Sequence, residues 1–407
     1  MDKPSPFKTY IALGDSLTAG YADGALSLEG QLHAYPNLIH KQWGLESKFQ
    51  QPLVLDQAGI GFDGMSPRSR LMAVSKKMDD GSIQIKIQPG PSPDMANLRP
   101  IGHLGPYQNM GIPGAKSFHL LLKGYGGAGG NPFFARFASS PETSVLKDAL
   151  SPLPDFFSLW IGSNDVLAYG ISGGEGDPIT PADKFEAYLY KILSVLTSNG
   201  ARGVIATIPD VTLIPFFNTI PIRGLSLDDD ALIRQLNQRY APSQNLFKRG
   251  YNPYLIRDKG AVRVISEEEK ILLDTPSRLI GKNPDAEAIP ERFVLSTDQL
   301  DALNAAIIAY NDIIVTMTHR FDLALVDVNQ HLCRWPSGLG FNRSKNHVTY
   351  SPDGIFSLDG IHLSPKGSAV VANIFIEAIN ERYRTAIRPT NPENFRGTID
   401  KSLFQQT

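Results

Sequence analysis

Short apolar runs alternate with segments of helical periodicity along most of this chain. The runs are rich in β-branched and aromatic residues and are bounded by turn-forming residues, which is typical of buried strands. They are Thr9–Leu13, Leu53–Leu55, Phe156–Ile161, Gly203–Ile208 and Ala324–Val328. The helical segments are Pro36–Gly44, Pro181–Ser198, Asp229–Arg239, Thr297–His319 and Pro365–Tyr383. A strand followed by a helix, repeated several times, predicts a parallel sheet with helices on both faces.

Two long segments interrupt this alternation. Residues 59–108 are crowded with Gly, Pro and Ser and contain a predicted hairpin around Asp79-Asp80-Gly81. Residues 211–296 contain one helical segment and several strand-like pieces. Structureless loops of this length are rare in compact domains, so we expect both segments to pack as insertions on the edge or top of the sheet. We predict one domain over residues 8–385, followed by a polar tail over residues 386–407 that lies on the surface.

Composition narrows the classes of partner. The 407 residues include 39 Lys plus Arg against 41 Asp plus Glu, so no basic surface for a nucleic acid is indicated. The longest apolar runs are much shorter than the ~20 residues that a membrane span requires. The single cysteine, Cys333, excludes a disulfide framework and is interpreted as a buried thiol. Strand-like sequence begins near Lys8, which fits either a cytoplasmic protein or an exported one whose leader was removed, and the oligomeric state stays open.

A serine stands directly after the first predicted strand. Residues 14–20 read Gly-Asp-Ser-Leu-Thr-Ala-Gly, with the serine at position 16. Open α/β folds bind their ligands at the carboxyl ends of parallel strands, where this serine is expected to lie. A helix N-terminus just beyond it would stabilise negative charge on the serine oxygen or its substrate. Taken alone, the Gly-Asp-Ser triplet fits a plain strand-to-helix turn as well as it fits a nucleophile.

An aspartate and a histidine, Asp359 and His362, stand three positions apart near the C-terminal end. Ser364 followed by Pro365 is typical of an N-cap and a first helical residue, so the pair lies in the loop before a helix. At this spacing the carboxylate can bind the imidazole, fix its tautomer and stabilise the imidazolium formed when it accepts a proton. An aspartate that shapes the turn beside a solvent-facing histidine is the alternative interpretation of this block.

Two glycine-containing turns could supply hydrogen-bond donors to an oxyanion. Residues 109–114 read Asn-Met-Gly-Ile-Pro-Gly and end in Gly114, whose N–H could approach a substrate closely. Residues 162–165 read Gly-Ser-Asn-Asp, follow the third predicted strand and offer the side-chain amide of Asn164. Each of these turns, considered separately, is more typical of a structural element.

The four blocks in this order resemble those of the SGNH/GDSL hydrolase family, which comprises GDSL-type lipases and esterases. The resemblance extends from about residue 8 to 385 and is closest to larger bacterial members, whose first block continues as residues 18–25 do here, Thr-Ala-Gly-Tyr-Ala-Asp-Gly-Ala. It implies a three-layer α/β/α sandwich around a flavodoxin-like five-stranded parallel sheet. It also implies that no metal ion or organic cofactor is required.

The resemblance assigns a role to one residue or more of each block. Ser16 corresponds to the nucleophile, and Asp359 and His362 complete a catalytic triad. Backbone N–H groups of Ser16 and Gly114 and the side chain of Asn164 correspond to an oxyanion hole. Gly114 is assigned rather than Gly111 because it matches the final glycine of the motif.

The predicted function is hydrolysis of carboxylic esters through an acyl-enzyme. Family members act on lipids, lysophospholipids, short aryl esters, thioesters and acetylated sugars, so a carbohydrate O-acetyl esterase is an alternative. A catalytically silent protein that binds carbohydrate or lipid on the same scaffold is an alternative of another class. Ser16 and Gly114 are 98 positions apart, more than in compact members, which leaves the substrate open. Phe133-Phe134 and Phe216-Phe217 would suit acyl chains but are expected to form the core of the insertions.

Three further motifs have simpler interpretations. Residues 59–64 match Gly-x-Gly-x-x-Gly, but Ser66-Pro67 follows where a dinucleotide fold requires a helix. The glycine cluster at 124–130 lacks the Lys-Ser/Thr pair of a phosphate-binding loop, and we expect it to border the site. Asp228-Asp229-Asp230 precedes a helix and is interpreted as a helix cap rather than a cation site.

Overall fold

A parallel sheet of five strands forms the centre of the computed structural model, which describes residues 6–64, 66–79, 83–281, 283, 286–333, 341–344 and 347–404. The strands are β1 (Tyr10–Gly14), β2 (Asn109–Gly111), β3 (Phe156–Trp160), β4 (Arg202–Ala206) and β5 (Ala324–Val326). They lie in the order β5-β4-β3-β1-β2, and every neighbouring pair is parallel. This is the flavodoxin-like strand order.

Helices cover both faces of the sheet. They include α1 (Ser16–Ala19), α2 (Tyr35–Trp43), α3 (Ser163–Gly170), α4 (Ala182–Leu196), α5 (Asp230–Tyr240), α6 (Thr297–Arg320) and α7 (Pro365–Tyr383). Successive residues of a strand point to opposite faces. Ile11 and Leu13 of β1 therefore pack with residues of α3, α4 and α6, whereas Tyr10 and Ala12 pack with residues of α2 and α7. The predicted three-layer α/β/α sandwich is confirmed.

Shorter elements occupy the connections. The short α-helices are Leu28–Leu32, Pro132–Phe137, Val145–Ala149, Pro215–Asn218 and Val328–Cys333. The antiparallel strand pairs before residue 109 are Tyr21–Ala22 with Ala25–Leu26, Gly61–Asp63 with Ser66–Arg68, and Leu71–Lys77 with Ile83–Pro89. The later pairs are Leu225–Leu227 with Gly250–Asn252, Leu255–Asp258 with Ala261–Val264, Lys270–Ile271 with Val294–Leu295, and Phe341–Ser344 with His347–Tyr350. The turn predicted at 79–81 and the side chain of Cys333 lie largely outside the described residues.

The prediction of a strand at Leu53–Leu55 is wrong, and β2 takes its place in the sheet. Side chains from other parts of the chain form hydrogen bonds with the backbone of this segment. The Val54 N–H donates to Gln31 Oε1 at 2.7 Å, and the Leu55 N–H donates to Asn97 Oδ1 at 2.7 Å. The Arg136 guanidinium binds the carbonyl groups of Pro52 and Leu53. These bonds use the N–H groups of Val54 and Leu55 and the carbonyl of Leu53, which are then not available for a strand ladder.

Residues 211–296 contain short elements that pack around an apolar cluster. The described residues of this segment contain three antiparallel strand pairs and α5. Leu225, Leu236, Tyr254 and Ile271 belong to an apolar cluster of its own. The Phe216 and Phe217 side chains are buried, as are those of the earlier pair at 133–134.

By length and composition alone, one helix among the described residues, α6, could cross a membrane. Its side chains Leu303, Ile307, Tyr310 and Ile314 are buried in the cluster that also contains residues of α4. A helix packed inside a protein core passes the same length and composition test.

Hydrogen bonds anchor the segment that follows α7, which the sequence predicts to be a surface tail, to the rest of the domain. Asn373 and Asn380 of α7 each form two hydrogen bonds with its backbone, at Thr390 and Ile387. Thr398 is buried, and its hydroxyl donates to the Phe356 carbonyl at 2.6 Å. The Thr398 bond connects the segment to the loop that carries Asp359 and His362.

Candidate active site

Ser16 is the first residue of α1, just beyond the carboxyl end of β1. The Asp15 side chain accepts a hydrogen bond from the Leu17 N–H at 3.0 Å and caps this helix. Gly14 is required in the turn because a Cβ there would lie 2.4 Å from the Trp160 carbonyl oxygen of β3. The turn thereby places the Ser16 side chain in the lining of a pocket at the edge of the sheet.

The structure brings Ser16, His362 and Asp359 into one chain of hydrogen bonds. Ser16 Oγ lies 2.9 Å from His362 Nε2, and His362 Nδ1 lies 2.9 Å from Asp359 Oδ2. The pair lies in the turn before α7, and the Ser364 side chain caps that helix as predicted. The Tyr21 ring packs against the imidazole with a centroid distance of 4.7 Å. Two segments separated by more than 300 residues therefore meet at the carboxyl edge of the sheet.

Asp359 accepts hydrogen bonds at both carboxylate oxygens. Oδ1 accepts from the Ser357 hydroxyl at 3.0 Å and from the N–H groups of Ile361 and His362, each at 2.9 Å. Oδ2 accepts from the Gly24 N–H at 2.8 Å. Burial raises the pKa of this carboxyl, but the charge and hydrogen bonds of His362 and the Ile361 N–H outweigh it and hold the pKa well below its usual range. Asp359 is therefore ionised at neutral pH.

Asp15 has the opposite electrostatic character. Burial is the largest influence and raises its pKa from 3.8 to about 7, although the Leu17 N–H and His362 act in the lowering direction. A partly protonated Asp15 carries less negative charge at neutral pH. It therefore repels an anion that forms beside Ser16 less strongly than a fully ionised carboxylate would.

Asn164 lies in the first turn of α3, and its Nδ2 donates to the Ala115 carbonyl at 3.0 Å. The neighbouring Asp165 carboxylate accepts from the Ser117 N–H at 2.8 Å and from the Ser117 hydroxyl at 2.7 Å. Gly162 precedes the helix with φ +121°, and a Cβ there would lie 2.5 Å from Ile208 Cδ1. These contacts fasten the loop after β2 to the start of α3.

Gly114 and Gly111 differ in what their N–H groups do. The Gly111 N–H donates to Asn109 Oδ1 at 3.0 Å, and a Cβ there would lie 2.2 Å from the Ala19 backbone nitrogen. Gly114 has φ +80°, and its N–H donates no hydrogen bond to the described part of the chain. The Ser16 N–H has no acceptor there either. Gly111 therefore serves packing, whereas Gly114 retains a free donor.

Apolar side chains dominate the pocket that adjoins Ser16, Asn164 and His362. They include Leu167, Val211, Ile214, Val328, Ile355 and Phe356. The phenylalanine pairs at 133–134 and 216–217 are not among the lining residues. Ser163 also lines the pocket, and its buried hydroxyl has no hydrogen-bond partner in the described structure.

The sequence patterns indicated no role for Ser163, nor for the residues that bind Asp359 from distant segments. The continuation of the first block through residues 21–24 was a signal for the latter, because the Gly24 N–H reaches Asp359. Other motifs have structural roles. Residues 61–63 form a strand rather than a helix, and Asp229 caps α5 while Asp230 pairs with Arg249. In the described ranges, no group of three or more His, Cys, Asp or Glu residues is placed to hold a metal ion.

The sequence and the structure of this chain were compared with those of known proteins. The family model of GDSL-like lipases and acylhydrolases matches residues 10–375. No curated protein sequence matches this chain. A lipase/acylhydrolase from Enterococcus faecalis is 12% identical, with 94% of this chain and 99% of that chain covered and a TM-score of 0.36. An acetylxylan esterase from Geobacillus stearothermophilus is 13% identical, with 96% and 100% covered and a TM-score of 0.39.

An extracellular lipase from Streptomyces rimosus is 12% identical, with 91% of this chain and 99% of that chain covered and a TM-score of 0.37. The family match covers most of the chain and contains all four sequence blocks, from the turn after β1 to the loop before α7. This chain therefore belongs to the GDSL-like lipase/acylhydrolase family and is an enzyme that hydrolyses carboxylic esters.

Proposed function

We propose that Ser16 is the nucleophile of a Ser-His-Asp triad and that it forms an acyl-enzyme during ester hydrolysis. The unbroken hydrogen-bond chain from Ser16 Oγ through the His362 ring to Asp359 Oδ2 carries this proposal. The ionised Asp359 accepts the Nδ1–H, which leaves Nε2 unprotonated and facing the serine hydroxyl. This is the tautomer that can accept the serine proton.

The reaction proceeds in two halves. Ser16 Oγ attacks the ester carbonyl carbon while His362 Nε2 accepts the hydroxyl proton, and a tetrahedral intermediate forms. The bond to the leaving alkoxide then breaks, and His362 donates its proton to that oxygen. In the second half, water attacks the acyl-enzyme with His362 as general base. The carboxylic acid leaves and the Ser16 hydroxyl is restored.

Three donors are available for the oxyanion of the intermediate. The Ser16 and Gly114 N–H groups have no acceptor within the described structure, and Asn164 Nδ2 uses one hydrogen on the Ala115 carbonyl. The second hydrogen of the Asn164 amide remains for the substrate. Donors held in place before the reaction stabilise developing charge without a cost of reorganisation.

Replacing Asn164 by alanine should lower kcat by about 10²- to 10³-fold, with a smaller effect on KM, because one oxyanion donor is lost. Steady-state kinetics on a p-nitrophenyl ester measures both constants. Asn237→Ala is a matched control, since Asn237 also binds a backbone carbonyl but lies on α5 and does not line the pocket. Unchanged turnover in folded Asn164→Ala would remove this side chain from the mechanism.

The lining of the pocket favours a substrate with an uncharged group next to the scissile bond. Leu167, Val211 and Ile214 offer no partner for a charge, and burial of an unpaired charge is costly. The acyl group or the alcohol of the ester that enters this pocket is therefore apolar.

A fluorophosphonate probe tests the proposal directly, because it reacts covalently with an activated serine. We expect one probe per chain, located by peptide mass spectrometry at Ser16, and slower labelling in the presence of ester substrate. Unfolded protein should not react, which controls for non-specific modification. Folded enzyme that hydrolyses esters but is labelled at another serine, or at none, would contradict the assignment of Ser16.

A further inference from the structure

An ion cluster lies next to the turn that carries Asp359. It consists of Asp23, Glu29, Arg70 and Arg396. Arg70 lies 2.7 Å from Asp23 Oδ2 and 2.5 Å from Glu29 Oε2, and Arg396 lies 3.1 Å from both Asp23 Oδ2 and Glu29 Oε1. The charges of the cluster sum to zero, and the Asp23 side chain is only 2% exposed. A buried carboxylate is stable only when such partners surround it.

Asp23 also contacts the turn itself, through two hydrogen bonds. Its Oδ1 accepts from the Leu358 N–H at 2.9 Å, and its own N–H donates to the Ser357 hydroxyl oxygen at 2.9 Å. The Ser357 hydroxyl in turn donates to Asp359 Oδ1 at 3.0 Å. The next residue, Gly24, donates its N–H to Asp359 Oδ2. Asp23 thus connects the ion cluster to the carboxylate that binds His362.

We propose that Asp23 and Ser357 are positioning residues, which hold Asp359 in the orientation that His362 requires. The inference rests on the proposed triad and explains how the orientation of Asp359 within it is maintained. Neither residue lines the pocket that contains Ser16, so both act through Asp359.

The two arginines come from segments outside the sheet. Arg70 precedes the strand Leu71–Lys77, and Arg396 lies in the segment after α7. Burial raises the pKa of Glu29, but Arg396 and Arg70 outweigh it and lower the pKa to about 2. Glu29 is therefore ionised at neutral pH. Through Asp23, the long connection after Ser16 and the C-terminal segment both support the site.

Asparagine cannot replace Asp23 without a mismatch. Oδ2 accepts from both guanidinium groups while Oδ1 accepts from the Leu358 N–H. An amide offers only one oxygen, so its NH2 group must face either the guanidinium donors or the Leu358 N–H. Asp23 has φ +55°, a conformation that asparagine also tolerates, so the backbone is not the cause of the mismatch.

Two substitutions test the proposal in the full-length enzyme. Asp23→Asn should lower kcat by about 10- to 100-fold with KM within about twofold, because a misplaced catalytic group reduces turnover rather than binding. Ser357→Ala should lower kcat by about tenfold with the same constancy of KM. The second variant leaves all four charges in place and decides the matter if Asp23→Asn does not fold.

Glu29→Gln is the matched control. It removes a carboxylate from the same cluster, but Glu29 has no hydrogen bond to the turn at 357–359. We expect a lower melting temperature and a kcat within about twofold of the parent, by the same kinetic assay.

Equal losses of kcat in Glu29→Gln and in the two test variants would overturn the proposal, as would full kcat in both test variants. Ser16→Ala is measured alongside: if it is inactive while the test variants are fully active, the triad stands and only the positioning role fails. If it is fully active, both fail.

Discussion

Ser16→Ala should lower kcat by about 10⁴-fold or more, because the acyl-enzyme route is lost and only binding and the oxyanion donors remain. The variant should fold normally. Ser16 Oγ has His362 as its hydrogen-bond partner, and alanine is favourable within α1. The measurement is kcat on a p-nitrophenyl ester, with the melting temperature recorded for the same preparation.

Ser368→Ala is the matched control for this substitution. Ser368 is about as buried as Ser16, with 6% against 8% exposed, and also lies in the first turn of a helix. It does not line the pocket, so we expect its kcat to stay within about twofold of the parent. Residual turnover of more than about 1% in folded Ser16→Ala would place the nucleophile elsewhere.

Much of the candidate site was predictable from sequence because short local motifs determine where its residues lie. Asp359 and His362 are three positions apart, and Ser364-Pro365 fixes the helix start that follows them. Ser16 follows the hydrophobic run that becomes β1. Since parallel strands present their carboxyl ends at one edge, the motifs after β1 and β3 were expected to meet, and the structure brings them to one pocket.

Contacts between distant segments were not predictable in the same way. The ion pair between Asp23 and Arg396 spans 373 positions, and nothing in the charge pattern distinguishes Arg396 from other arginines. The strand β2 was missed because its three residues, Asn109–Gly111, lack the apolar run of the other strands. Leu53–Leu55 has such a run, but Gln31, Asn97 and Arg136 bind its backbone.

Asp359→Asn should lower kcat by about 10³- to 10⁴-fold through the tautomer of His362. The carboxylate now accepts at both oxygens, whereas an amide has one oxygen and one NH2 group. If the NH2 group faces His362, it donates to Nδ1 and places the ring proton on Nε2, which then cannot accept the Ser16 proton. If it faces the other way, it opposes the N–H groups of Ile361 and His362, which lie 2.9 Å from Oδ1. In either orientation a partly buried backbone donor loses its acceptor, the Gly24 N–H in the first and the Ile361 and His362 N–H groups in the second. The substitution should therefore lower the free energy of unfolding by about 1–3 kcal/mol.

Asp353→Asn separates this effect from a general change of charge near α7. Asp353 lies six positions earlier, pairs with Lys366 and Lys401, and is largely exposed. Its loss should change kcat by less than about twofold and the free energy of unfolding by less than about 1 kcal/mol. The rate of fluorophosphonate labelling at Ser16 supplies an independent readout, since it depends on the His362 base and not on release of product. A folded Asp359→Asn enzyme that is labelled as fast as the parent would show that His362 accepts the serine proton without Asp359.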